Sequence, residues 1–299
     1  MRLMARSNRH DAGGRRVEAV RPKPSTLNFT AHSLQPMAAA SRFGRYGPME
    51  KHDVRGLKID GTELDRLRAR RQMLREMDPE QALQVIEFRR DLNFLQALAL
   101  AKQEGSLIVP NDVHDRILTE TIDEQYLRQN YPVWTGTLVI YEKPNAPFGE
   151  KVVLNSRVHQ LNYSISFAVP EQFQGKTNCA LVVEHPDFEL INLKDNRYKI
   201  KLLEGASINL IENFPTHSQR WYNTDPETKI PIGEPVRKSE KDARYLCRLD
   251  GHYLGPVARD VDFGGYDRQV ADAYYWSTVR FGVALMPLAA ATEKSDSHD

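Results

Sequence analysis

The chain is 299 residues long, 40% hydrophobic and 27% charged, with 41 Lys and Arg against 40 Asp and Glu. That is enough apolar material for one large or two ordinary domains, and the balanced charge gives no whole-chain argument for nucleic acid. The balance hides a division. Residues 1–60 hold twelve basic and five acidic residues, a net +7, which leaves −6 on the remainder.

Two cysteines, Cys179 and Cys247, lie far apart in apolar, strand-like contexts. They form no disulfide framework and no CxxC zinc pattern, so both are expected to be buried free thiols. Apolar runs stay well short of the ~18 residues a membrane helix needs, and no membrane partner is expected. The N-terminal MRLMARSNRHDAGGRR is too polar for a secretory h-region. Asp11 and the Gly13-Gly14 pair spoil the amphipathic helix of a mitochondrial presequence, which leaves cytoplasmic synthesis as the expectation.

Residues 1–61 mix Pro, Gly, Ser, Ala and Arg with few aliphatics and no sustained period. Such a segment buries too little apolar surface to offset ordering its backbone, at roughly 1–2 kcal/mol per residue. Three readings stay open for this basic arm: a strap ordered by a neighbour, an inert tail, or a nucleic-acid arm. Scattered anchors such as Leu27, Phe29 and Leu34 favour the strap. Arg42, Phe43, Arg45 and Tyr46, interleaved with glycine, are candidate partner contacts suited to stacking on bases.

Residues 62–131 read as a helical segment. A first helix over 62–77 carries Leu64, Leu67, Leu74 and Met77 at helical spacing. Its arginines, Arg66, Arg68, Arg70, Arg71 and Arg75, suggest a binding patch, but they alternate with acids and are expected on a solvated face. A long helix over 79–104 follows, about 39 Å at ~1.5 Å per residue. Asp78 caps it, Pro79 suits its first turn and Gly105 supplies a left-handed stop. Leu83, Ile86, Phe94, Leu98 and Ala101 give one apolar stripe; Val85, Phe88, Leu92, Leu95 and Ala99 give a second. Two stripes suit a brace between two neighbours. Arg89-Arg90-Asp91 interrupts the middle. Short helices are expected over 113–119 and 123–130.

From residue 132 to 291 the period changes to two. Strands are expected over 135–142, 151–158, 161–169, 179–185, 188–193, 197–203 and 207–214, then 243–249, 252–259 and 276–286. Turn-formers such as Pro186-Asp187, Asp195-Asn196 and Gly205 separate them. Such punctuation points to an antiparallel β-sandwich or barrel-like body. Residues 215–242 read as a long polar loop, 269–275 as a helical turn, and 292–299 as a frayed tail. The fold class is therefore α+β: extended arm, helical segment with a long helix, then the β-body.

Three constellations invite chemistry. Asp262-Phe263-Gly264 matches the magnesium tripeptide of protein kinases, but the rest of that motif set is missing and a turn between strands is expected. Glu184-His185-Pro186-Asp187 puts three potential metal ligands in four residues, yet adjacent strand residues face opposite ways. His114-Asp115 fails as part of a triad because neighbouring helix positions do not face each other. There is no Walker loop, Gly-x-Gly-x-x-Gly, Gly-x-Ser-x-Gly, His-Glu-x-x-His or EF-hand loop. No catalytic residue, metal or cofactor is expected. Arg220, Trp221 and Tyr222 are the better candidates for contact with sugar, peptide or a neighbouring subunit, with core packing of Trp221 the competing reading.

The general architecture of arm, helical brace and β-body is similar to that of subunits of viral shells and tails, an analogy of architecture alone. It implies a non-enzymatic assembly subunit of a virus or phage particle, whose partners are copies of itself or other subunits. Two rivals stand beside it: a nucleic-acid-associated protein working through residues 1–60, and a carbohydrate-binding or carbohydrate-active β-sandwich.

Overall fold

The computed structural model describes residues 61–120, 132–158, 161–217, 219–240, 243–248, 257–262, 269–273 and 281–287. All lie in the second of the two units into which the chain divides, Met1–Glu50 and Lys51–Asp299. The expected arm over 1–60, with Arg42, Phe43, Arg45 and Tyr46, lies outside the described residues, as do the helix over 123–130 and the tail from 292. Among the described residues are four α-helices and fifteen strands, an α+β arrangement. No helix among them is long and apolar enough to cross a membrane.

Helix α1 (Gly61–Glu76) buries Leu64, Leu67, Arg70 and Leu74. The long helix expected over 79–104 is three elements. Helix α2 (Pro79–Val85) starts as read, with the Gln81 N–H donating to the Asp78 side chain at 2.9 Å. At Ile86 the backbone turns extended and strand β1 (Glu87–Leu92) follows. It pairs antiparallel with β15 (Phe281–Met286) through Glu87↔Leu285 and Phe88↔Ala284. The register slips between Arg89 and Leu92, where Asp91 takes φ 61°, so the polar triple that interrupts the stripes is a bulge. Asn93 then caps a new helix, α3 (Phe94–Glu104), in a reciprocal capping box with Gln96. Gly105 ends it in the left-handed conformation, as expected. Pairing with a strand from the far end of the chain overrides a continuous helical pattern.

Strand β2 (Leu107–Ile108) also pairs with β15, and helix α4 (Asn111–Glu120) follows. The supposed helical segment thus contributes two strands to the main sheet. At the crossing of β2 and β3 (Val133–Tyr141), a Cβ on Gly136 would lie 2.5 Å from the Ile108 carbonyl oxygen. Only glycine permits that approach.

The remaining strands are β4 (Lys151–Val158), β5 (Leu161–Ala168), β6 (Cys179–Glu184), β7 (Phe188–Asn192), β8 (Arg197–Leu202), β9 (Ile208–Glu212), β10 (Arg220–Thr224), β11 (Pro231–Val236), β12 (Arg244–Arg248), β13 (Val257–Asp262) and β14 (Gln269–Ala273). An eleven-stranded sheet runs β1-β15-β3-β13-β14-β12-β10-β11, with β2 on β15 and the β6–β9 pair on β3. A four-stranded sheet runs β4-β5-β8-β7. Both sheets are mixed, with β15–β3, β12–β14 and β5–β8 parallel. The antiparallel expectation fails because β5 reaches β8 by a crossover through β6 and β7. Neither sheet closes into a barrel among the described residues.

Residues 215–242 are not one long loop: β10 and β11 lie within them and form a hairpin whose turn is held by Asp225 Oδ1, which accepts from the Thr228 N–H and hydroxyl at 2.8 Å each. Pro231 and Pro235 are tolerated because β11 ends the sheet path. Residues 269–273 are likewise strand, not a helical turn.

Strand β3 is buried along its whole length. Leu67, Leu74, Ala82, Val85, Val113 and Ile117 of the helices pack with Val133, Tyr222, Leu246, Ala284 and Met286 of the large sheet. A second cluster joins Phe94 and Trp134, Leu138, Ile140, Leu181 and Val183 to Val152, Ile165, Phe167, Phe188 and Ile200 of the small sheet. The Cys179 thiol is buried, and burial pushes its pKa up. Strand β12 carries Cys247.

Candidate functional site

Positions 68, 71 and 75 fall three and four apart, so α1 presents Arg68, Arg71 and Arg75 on one face. That face is not solvated. It meets a bend that begins where β6 ends at Glu184 and includes the cis His185-Pro186 peptide. Arg68 Nε and Arg71 Nη2 donate to the two oxygens of Asp187 at 2.7 and 2.8 Å. Arg75 Nη2 donates to the Glu184 carboxylate at 2.6 and 2.7 Å, while its Nε donates to Asp112 of α4 at 2.8 Å. Arg68 reaches further, donating to the Glu204 carbonyl at 2.6 Å. The Asp187 side chain is 1% exposed and that of Glu184 5%, so the carboxylates are interior, while Arg68 and Arg75 reach them from the margin with side chains 23% and 27% exposed. The patch expected on a solvated face is an internal clamp of α1 onto the body. Arg70, on the adjacent face, donates to the Gly105 carbonyl at 3.1 Å.

The electrostatics follow from that burial. Burial raises the Glu184 pKa and nearby Asp112 adds to the shift, against the pull of Arg75 and Arg71. Burial alone would lower Arg75, but its bonds and attraction to Asp112 and Glu184 win and hold it above its ordinary value. His185 is driven down to about 4, first by burial and then by Arg71, with Asp187 opposing. Its neutral ring accepts the Ile108 N–H at Nδ1, 3.2 Å away. Glu184 faces the arginines while His185 faces β2, so the three possible ligands of this tetrapeptide do not converge. Among the described residues no group of three or more His, Cys, Asp or Glu is placed to hold a metal ion.

His114 and Asp115 also part company. Asp115 takes a bidentate bond from Arg244 of β12, with Nη2 to Oδ2 at 2.7 Å and the second bond from Nε. His114 is wholly buried, and burial holds it down to about 3.

The expected contact residues on β10 separate by strand parity. Tyr222 is 1% exposed, packs in the helix-side core and donates its hydroxyl to the His217 carbonyl at 2.9 Å. Its ring is a core element. Trp221 is half-buried, with the Tyr245 ring of β12 at 5.5 Å and Lys238 Nζ 5.4 Å from its centroid. Arg220 is exposed at the strand start and donates to the Gln219 carbonyl.

One surface escaped the sequence reading although its signal is local. Arg197-Tyr198-Lys199-Ile200-Lys201-Leu202 alternates cation and apolar residue along β8, and Arg197, Lys199 and Lys201 are all exposed. The spacing marks a strand with one basic face.

No protein-family model, curated protein or solved structure matches the chain.

Proposed function

We propose that the chain is a non-enzymatic structural subunit of a large assembly, with a virus or phage particle as its setting. It is made in the cytoplasm and carried in the virion, and residues 1–60 strap onto neighbouring subunits. The observation that carries this reading is the charge division: +7 on residues 1–60 against −6 on the rest, an attraction available between one copy's arm and another copy's body. Two further features support it. The buried carboxylates Glu184, Asp187, Asp112 and Asp115 are committed to arginines, which suits a rigid brace. The two sheets share one core, which favours a sandwich-like body that keeps its shape within a lattice.

Deletion of residues 1–60 tests this reading. The expected result is loss of the assembled form by light scattering, with the circular dichroism and urea midpoint of the body retained. An unchanged assembled mass overturns it. The half-buried Trp221 ring beside Tyr245 favours a second reading, a carbohydrate-binding sandwich. A glycan screen in which Trp221→Ala abolishes a hit supports that reading; equal signals from both proteins remove it.

A further inference from the structure

The outer face of the four-stranded sheet carries a second basic element, separate in sequence from residues 1–60. Its register fixes which residues share that face. Ser164 lies beside Arg197 and Ser166 beside Lys199 across β5–β8. Ile191 lies beside Lys199 and Glu189 beside Lys201 across β7–β8. Lys151 lies beside Ala168 across β4–β5. The alternate residues Val152, Ile165, Phe167 and Ile200 are buried in the core, so the cationic set points the other way.

Arg197, Lys199 and Lys201 form a ladder with steps of about 6.6 Å, spanning roughly 13 Å at ~3.3 Å per residue. Lys151 adds a fourth cation two strands away. Local acids do not cancel them. Glu189 pairs with Lys201 at 2.8 Å, leaving that lysine side chain 55% exposed. Asp195 stands 3.7 Å from Arg197, whose side chain is 61% exposed. Exposed pairs of this kind are screened and worth little. Lys151 and Lys199 have no ion-pair partner among the described residues. This face is positive on a body whose net charge is −6.

We propose that this face binds the phosphate backbone of a nucleic acid, without reading its bases. Phosphates are the complement of a periodic cation ladder, and between Lys151 and the β8 row strand β5 presents only the short side chains of Ser164, the buried Ser166 and the exposed Ala168. The described residues between the cations are small, aliphatic or acidic, so affinity arises from counterion release and not from stacking.

The test uses the full chain and a fluorescent 20-nucleotide oligonucleotide in two unrelated sequences, titrated by anisotropy over a salt series. Four phosphate contacts predict a contribution of about −3 to the slope of log K against log salt, equal for both sequences. The triple variant Arg197→Ser, Lys199→Ser, Lys201→Ser is expected to bind about tenfold more weakly at low salt, with the slope shallower by roughly 2. Lys199→Arg with Lys201→Arg keeps the charge and is expected to keep both values. Unchanged binding in the triple variant at native circular dichroism overturns the proposal and leaves residues 1–60 as the binding element. Absence of binding by the unmodified chain overturns it too. So does a triple variant that loses affinity for polyglutamate while its affinity for the oligonucleotide stays intact, since the face then fits an acidic protein surface.

Discussion

Two rows of cations in this chain have similar composition and opposite fates. Arg68, Arg71 and Arg75 share one face of α1 and are taken up by Asp187, Glu184 and Asp112. Arg197, Lys199 and Lys201 share one face of β8 and stay in solvent. Periodicity tells which residues share a face, three and four apart on a helix or two apart on a strand. It does not tell what that face meets. The α1 row is arginine throughout, whose planar fork suits two-pronged contact with buried carboxylates; the β8 row is mostly lysine, a hydrated point charge. Residue type is thus a weak local hint to which row is structural.

The largest expected effect breaks the interior row. Arg75→Met leaves Glu184 beside Asp112 with Arg71 as its nearest remaining cation, 3.8 Å from the carboxylate. Breaking a buried pair on one side costs about 3–5 kcal/mol, read as a lower urea midpoint. Pairing it with Glu184→Gln removes the stranded charge and is expected to restore part of the loss. A midpoint that barely moves in Arg75→Met would place the clamp with ordinary surface ion pairs and erase the contrast.

The next effect is titration beside the clamp. His185 falls from an ordinary 6.5 to about 4 in the folded protein, so between those pH values the unfolded chain binds a proton that the folded one does not. Stability is full above pH 6.5 and falls as pH drops toward 4, by at most about 3 kcal/mol for this histidine. His114, held down to about 3, acts in the same direction. Glu184, raised above its ordinary 4.5, acts in the opposite one: its share is present below that value and is lost as pH rises through its folded pKa. His185→Asn can keep an acceptor for the Ile108 N–H without the titrating ring. Over pH 4–6.5 its stability profile is expected to be shallower than that of the unmodified protein by up to about 1.4 kcal/mol per pH unit. Parallel profiles would show that His185 does not titrate with folding.

How legible was this architecture in the sequence? The caps at Asp78 and Gly105, the runs that became β3 to β9, and the switch of period near residue 132 were all readable, because their causes lie within a few residues. The break inside residues 79–104 was half readable. Asn93 and Gln96 spell a capping box, and Arg89-Arg90-Asp91 marks a bulge, but the strand between is stabilised by β15 nearly two hundred residues on. The β10–β11 hairpin was missed because Pro231 and Pro235 read as loop signals, and only the sheet order shows β11 to be an edge. The α1 clamp was missed for the same kind of reason: its carboxylates on the β6 bend lie 109 to 119 positions away. Tyr222 and Trp221 look alike in sequence, and strand parity alone sends one to the core. The β8 row was fully legible as a face and went unread, since charges alternating within a strand look like routine solubility.

The smallest effects sharpen the comparison from its other side. Asn93→Ala removes the oxygen that accepts the Gln96 N–H at 2.9 Å and is expected to cost about 1 kcal/mol. That loss is local to α3, so it should add to the loss from Arg75→Met in the double variant. The triple serine variant on β8 removes three charges and is expected to shift stability by less than about 0.5 kcal/mol, because its side chains are exposed and at most weakly paired. Removal of one guanidinium from α1 should therefore outweigh removal of three cations from β8 in folding, with the order reversed in oligonucleotide binding. If the β8 variant instead unfolds like Arg75→Met, its cations serve the fold, and the distinction between a clamp and a binding face fails.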